Sequence, residues 1–253
     1  MISDKDSKKI LVVIPARGGS TSIPRKNLSP LLGIPLIAYT ISTALKLDFV
    51  DRVIVSSDDA EIQYESLKYG AEVIERSPEI SQTLSRDNEM FDELLERDQS
   101  ISNRDIVLFL RPTHPIRNPD TLKKAFLQFD SSPIKIDSLR SMKENKEIIF
   151  KSWGIGNDGL AIPAFNSELT SVPDPCNAPR QLLPVTYYQD GYIDIFPIST
   201  VKEFGSTCGN KVMPFLINEF SEDIDYSHEL SAIENYLLSK TPPDWFTFPK
   251  PIS

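Results

Sequence analysis

The apolar run Ile10–Ile14, which opens directly into Arg17-Gly18-Gly19-Ser20, constrains this chain more than any other stretch. A run with no polar alternation suits a strand covered on both faces, the kind found in parallel sheets flanked by helices. An amphipathic stretch follows from Pro35 to Leu47. It sets Ile37, Ile41 and Leu45 at i, i+4 and i+8 on one helical face, with Pro35 suited to the first turn. The theme then repeats. Asp51–Asp58 reads as a second strand, Asp59–Tyr69 as a helix stopped by Gly70, and Ala71–Glu75 as a short strand. Arg86–Arg97 reads as another helix, Asp105–Leu110 as a third long buried strand, and Asn118 or Asp120 as the cap of a helix running to Phe129. Alternating elements of this kind predict an α/β fold with a mainly parallel sheet.

The texture changes near Ser131. From about 131 to 188 the polarity is mixed, with several prolines and glycines and short β-like pieces such as Ile148-Ile149-Phe150, and the segment reads as an inserted lobe. Regular patterning returns with a strand at Gly191–Phe196 and a helix at Tyr226–Leu238. The proline-rich, aromatic tail Thr241–Ser253 is expected to wrap over the body. The whole of 1–253 suits one sizeable domain. A formal net charge of -9 argues against a nucleic-acid partner, which calls for a basic face. No apolar run reaches the roughly 18 residues of a spanning helix, so no membrane partner is expected. The polar start Met1–Asp6 is unlike a signal peptide, and Cys176 and Cys208 alone make no disulfide framework, so the expected location is cytoplasmic.

Chemistry concentrates in the loop after the first strand. Adjacent glycines let backbone N–H groups approach a polyphosphate, and Arg17, Arg25 and Lys26 can neutralise its charge. The carboxyl edge of the first strand is where α/β folds place nucleotides. The loop is neither GxxxxGK[ST] nor GxGxxG, which points to a nucleotide held for chemistry rather than to a dinucleotide cofactor. The plainer reading is an exposed strand-to-helix turn. Ser57 and Asp58 end the second strand on the same edge and can meet base or ribose, although Asp58 or Asp59 also suits ordinary helix capping. Asp223 and Asp225 stand at i, i+2, which in extended chain turns both carboxylates to one side, where they can hold a hard divalent cation. An acidic helix N-terminus is the plainer alternative. His114 and His228 read as structural or incidental.

Five segments in order then resemble the cytidylyltransferases that activate acidic sugars, above all the acylneuraminate (CMP-sialic acid synthetase) group. They are Ile14–Ser20 with Ile23–Asn27, Ser57–Ile62, Arg111–Arg117, Arg180-Gln181 and Asp223–Asp225. The resemblance implies a Rossmann-like three-layer fold with an inserted dimerisation arm, a homodimer, and a Mg²⁺-dependent transfer from CTP to a sugar with release of pyrophosphate. It implies catalytic roles for Arg17 and Lys26, and nucleotide contacts from Ala16, Gly18, Gly19, Ser20, Arg25, Asn27, Ser57 and Asp58. It implies substrate contacts from Arg111, Thr113, Arg180, Gln181, Asp190 and Tyr192, and Mg²⁺ ligation by Asp223 and Asp225. Arg180-Gln181 would lie in the arm, near the partner's active site.

Three departures bear on the substrate. Thr21-Ser22 stands where the family usually has Lys-Gly, which removes a phosphate-side cation. Arg111 replaces a sugar-contacting glutamine, and an arginine fork suits carboxylate or phosphate. Asp190-Gly191-Tyr192-Ile193-Asp194 replaces Asn-Gly-Ala-Ile-Tyr, adding negative charge that a pair such as Arg111 with Asp190 would offset. These changes motivate a rival in which a nucleotide, GTP included, is joined to a sugar 1-phosphate clamped by Arg111. A catalytically silent nucleotide-binding homologue is a third reading. The retention of Arg17, Lys26, Asp223 and Asp225 speaks against it.

Overall fold

The computed structural model describes residues 8–20, 22–82, 85–165, 170–239 and 242–252. Thr21, the first of the loop's departures, and the polar start 1–7 lie outside them. The apolar run forms β1 (Ile10–Pro15), and its residues Leu11, Val12, Val13 and Ile14 are wholly buried. A hairpin of β2 (Pro30–Leu31) and β3 (Ile34–Pro35) leads into α1 (Leu36–Ala44). There follow β4 (Arg52–Ser57), α2 (Ala60–Lys68), β5 (Glu72–Glu75), α3 (Asp87–Arg97), β6 (Ile106–Phe109), α4 (Pro119–Asp130) and β7 (Ser138–Glu144). The chain ends with β8 (Trp153–Ile155), β9 (Ala161–Pro163), β10 (Tyr187–Pro197), α5 (Ile198–Phe204), β11 (Val212–Leu216) and α6 (Ser227–Ser239).

Seven strands form one sheet in the order β11-β7-β10-β6-β1-β4-β5. β1 pairs in parallel with β4 and β6, β4 in parallel with β5, and β10 runs antiparallel to β6. Because side chains alternate along a strand, β1 feeds two cores. Val12 and Ile14 join Ile37 and Ile41 of α1, Ile62 of α2 and Leu122 and Phe126 of α4. Leu11 and Val13 join Phe91 and Leu94 of α3 and Val201 of α5 on the other face. Burial on both faces, at about 1.5–3 kcal/mol for each large apolar side chain, is why the run carries no polar alternation. The three layers and the largely parallel sheet are those expected.

Helix ends follow local chemistry. Asp59 caps α2 by accepting from Glu61 and Ile62 N–H, Gly70 beyond its end takes φ 95°, and the Asn118 side chain caps α4 through Asp120 N–H. Two boundaries differ from expectation. Pro35 pairs within β3 and only flanks α1, which ends at Ala44, so Leu45 leaves the apolar face and is exposed. Ile148-Ile149-Phe150 is not β; Ile149–Lys151 is a 3₁₀ turn with Phe150 buried.

The chain divides into two compact units, residues 1–141 with 191–253, and residues 142–190. The inserted segment is therefore shorter than the 131–188 read from composition. Ser138, Leu139, Arg140 and Ser141 are buried strand residues of the larger unit, and their polarity disguised that role. Within 142–190, β8 and β9 form an antiparallel hairpin whose Trp153, Ile155 and Ile162 are exposed, and Cys176 Sγ faces Phe150 O at 3.3 Å. In the larger unit the tail lies on the body: Phe246 stacks on Tyr39, and Ile252 N–H donates to Lys68 O. Among the described residues no helix is long and apolar enough to cross a membrane.

Candidate active site

A cavity of about 460 Å³, within the usual range for small-ligand sites, opens beside the carboxyl end of β1. Pro15, Arg17, Ser20, Ser22, Lys26 and Asn27 line it from the first loop, Arg76 and Ile80 from beyond β5, and Ser85, Arg86 and Asp87 from the start of α3. Arg111, Pro112 and Thr113 line it from beyond β6, with Asp223 and Asp225 from the segment before α6.

Hydrogen bonds rather than packing hold the loop. Ala16 N–H donates to Ser56 O, Gly18 N–H to Asp58 Oδ1, and the buried Asn27 amide donates to Arg17 O at 2.9 Å. Gly18 is sterically required, since a Cβ there would stand 2.9 Å from Asp59 Cβ, whereas Gly19 has open space around it. Arg17 Nη1 donates to Gln82 O, and Lys26 Nζ lies 2.9 Å from Asp225 Oδ1. The loop thus presents two cations to the cavity.

Several expected nucleotide contacts lie outside the lining. Arg25, in the left-handed region at φ 54°, is held by Asp59 and Glu61. Ser57 is wholly buried, accepting Asp59 N–H on Oγ and Arg76 N–H on its carbonyl. Asp58 braces Gly18. Ala16, Gly18 and Gly19 shape the loop without lining the cavity.

Asp223 and Asp225 both line the cavity, while Ile224 between them is wholly buried against Ile23, Leu36 and Tyr39 and donates its N–H to Thr113 O. The two carboxylates thus face the cavity while the apolar side chain between them enters the core. His114, buried, places Nδ1 3.4 Å from Asp223 Oδ1. Asp223 Oδ1 and Thr113 Oγ1 are buried without a hydrogen-bond partner among the described residues. Burial pushes the Asp223 carboxyl up, but His114, Thr113 and the Lys26 charge outweigh it and bring it down to about 2. It therefore stays ionised at neutral pH. No group of three or more His, Cys, Asp or Glu gathers among the described residues, so the hard-oxygen donors here are a pair. Two carboxylates, one with an unsatisfied buried oxygen, fit Mg²⁺, which is usually held by one or two carboxylates plus substrate phosphate oxygens.

Arg111 corrects one expected pairing. Its partners are Asp194, Oδ2 at 2.9 Å, and Asp87, Oδ2 at 3.2 Å, not Asp190. Asp194 is wholly buried and also accepts from Arg140 at 2.7 Å, so it offers no oxygen to a sugar. The loop that carries Arg111 is braced by buried Arg117, which donates to the carbonyls of Arg111, His114 and Tyr192. Tyr192 is likewise a core residue. Its hydroxyl donates to Glu219 and accepts from Asn118 N–H, and burial, then the Glu219 bond, push its ionisation far up. Asp190 is buried in the smaller unit, where Arg180 and Gln181 form an exposed 3₁₀ turn and Arg180 lines a separate small cavity.

Sequence reasoning missed Arg76, Arg86 and Asp87. Arg76 is only 7% exposed, and its partners are Ser56 Oγ at 3.1 Å, Met90 Sδ and, at 3.4 Å, Ser56 O, a set without a carboxylate. Burial pulls its basicity down against the attraction of Asp87, Asp58 and Glu93. One signal existed: Arg76 directly follows β5 on the ligand-binding edge of the sheet.

A protein-family model described as cytidylyltransferase matches residues 11–154. A CMP-N,N'-diacetyllegionaminic acid synthase of Legionella pneumophila is 33% identical over 225 residues, covering 86% of this chain and 90% of that protein. A pseudaminic acid cytidylyltransferase of Campylobacter jejuni is 42% identical over 123 residues, 48% of this chain and 53% of its own, so the match spans about half of that relative. Among solved structures, a CMP:2-keto-3-deoxy-manno-octonic acid synthetase complexed with CTP superposes with a TM-score of 0.66 at 15% identity, covering 92% of this chain and 99% of that one. At that identity the likeness is one of fold.

Proposed function

The chain belongs to the CMP-sialic acid synthetase-like cytidylyltransferases, and on that premise we propose that it joins the CMP part of CTP to an acidic sugar and releases pyrophosphate. One observation carries the reading: Arg17, Lys26 and Arg76 converge with the Asp223–Asp225 pair on a single cavity at the carboxyl edge of the sheet. The cations suit a triphosphate, and the carboxylates suit Mg²⁺, which when bound neutralises phosphate charge and polarises its oxygens. In the reaction the anomeric hydroxyl oxygen bonds to the α-phosphorus and gives up its proton. The bond from the α-phosphorus to the bridging oxygen breaks, and the electron pair leaves with pyrophosphate. Lys26 and Arg17 stabilise charge on the phosphate oxygens as that bond breaks. Arg76, with its weak protein partners, has N–H groups to offer an acceptor atom of the nucleotide.

The acceptor class follows from the relatives, named for legionaminic and pseudaminic acids, and from the Arg111 guanidinium at the cavity wall, whose fork suits a carboxylate. The smaller unit supports a homodimer, because its hairpin exposes Trp153 and Ile155 on one face and Ile162 on the other. A cytoplasmic site of action accords with the acidic charge and the two free cysteines. The deciding test is pyrophosphate release with Mg²⁺, crossing CTP, GTP, UTP and ATP against N-acetylneuraminic, pseudaminic and diacetyllegionaminic acids and a set of sugar 1-phosphates. Release with CTP plus one of the acids is expected. Release only with a sugar 1-phosphate would overturn the acceptor assignment, and no release with any pair would favour a silent homologue.

A further inference from the structure

Asp194 alone does not balance the charges around Arg111, and Asp87 completes the balance. Asp194 is wholly buried and receives two guanidinium groups, Arg111 at 2.9 Å and Arg140 at 2.7 Å, so this triad keeps one net positive charge. The Arg111 guanidinium is also fixed in orientation. Asp194 holds Nη1, the Phe109 ring lies 4.9 Å from the guanidinium carbon, and Arg117 grips the backbone carbonyl. Arg111 Nη2 meets Asp87 at 3.2 Å, and Arg111 and Asp87 both line the cavity. That contact is the longest of the three ion pairs, and Asp87 is the most exposed of the partners, at 44%. Asp87 is also the first residue of α3, where the helix dipole favours a carboxylate whether or not Arg111 is present. Releasing Arg111 therefore costs Asp87 little.

We propose that Asp87 is a built-in competitor for the acceptor's carboxylate: it occupies Arg111 in the empty site and is displaced by an anionic sugar. The exchange makes Arg111 charge-selective. An acceptor without an anion leaves the Asp87 pair intact and gains no contact there, whereas a carboxylate replaces one exposed partner with another that Nη2 can hold by a charge-assisted hydrogen bond. This inference rests on the acidic-sugar reading above.

The test measures KM for CTP and for the accepted acid in the wild type, Asp87→Asn, Arg111→Gln and the double variant. Asp87→Asn is expected to lower the acceptor KM about two- to fivefold, the range of a partly exposed ion pair, with the CTP KM unchanged. Arg111→Gln is expected to raise the acceptor KM about tenfold or more. Its fold is protected because Asp194 keeps Arg140. The decisive result is the coupling: in the Arg111→Gln background, Asp87→Asn should have no effect on the acceptor KM. An equal effect in both backgrounds, or a shift in the CTP KM instead, would overturn the competition while leaving the acidic-sugar reading in place. Wild-type silence toward every acid would remove that reading and this inference with it.

Discussion

Replacing Lys26 by Met separates a stability role from a catalytic one, because the structure predicts very different sizes for the two. Lys26 Nζ is 2.9 Å from Asp225 Oδ1, but Asp225 is 57% exposed, and ion pairs with one wet partner contribute about 0.2–1 kcal/mol. The Lys26 stem is only 12% exposed, and Met preserves most of its packing. Unfolding should therefore shift by no more than about 4 °C, given the ~2–4 °C per kcal/mol of a domain this size. The transition state is another matter. A fixed donor aimed at developing phosphate charge contributes about 2.7–4 kcal/mol, so kcat/KM should fall about 10²- to 10³-fold. The assay is steady-state pyrophosphate release under saturating Mg²⁺, alongside a thermal melt of the same preparation. A variant that melts like the wild type and keeps activity within threefold would refute the phosphate role and leave Lys26 as a surface partner of Asp225.

Asp225→Asn should lower kcat about 100-fold and raise the Mg²⁺ concentration needed for half-maximal rate, with the fold intact; wild-type turnover would remove Asp225 from the metal pair. Tyr192→Phe should cost about 1–3 kcal/mol of stability, since Glu219 and Asn118 N–H lose their buried partner, yet leave the acceptor KM unchanged. A raised KM with an unchanged melt would restore Tyr192 to the substrate site. On the acid side, burial pushes the Asp98 and Glu93 carboxyls up, but the Ser100 and Arg52 contacts of Asp98 and the Ser77 and Arg97 contacts of Glu93 hold both below their usual range. The unfolded chain then binds more protons near pH 4, so melting temperature should be level above about pH 5 and fall as pH drops through 4. Asp98→Asn should flatten that fall, and an unchanged slope would contradict the linkage.

How far the sequence discloses this protein depends on whether a residue's role is written in its neighbours or in its contacts. The two-faced burial of β1 is local: five apolar residues in a row have few other places to go, and the sheet, its flanking helices and the capping by Asp59 and Asn118 follow from patterns of the same kind. The loop is nearly as legible, because Gly18 and Lys26 sit beside the strand that positions them. Asp223 and Asp225 are legible through alternation, with Ile224 anchoring the turn of the chain between them.

Long-range charge matching leaves no such trace. Asp194 lies in β10 at a position that reads as a polar interruption of a strand, and only its contacts with Arg111 and Arg140, residues 83 and 54 positions away, show it to be a buried counter-ion. The same holds for Arg76, a buried residue that looks in sequence like a charge after an edge strand. A buried cation bonded to a hydroxyl, a thioether and a long 3.4 Å carbonyl contact lacks the carboxylate partner that burial normally demands, and only the folded contacts show this. The local code builds the shelf on which the nucleotide would rest. The meeting of Arg76, Arg111 and Asp87 in one cavity exists only once the sheet has brought β5, α3 and β6 to one edge.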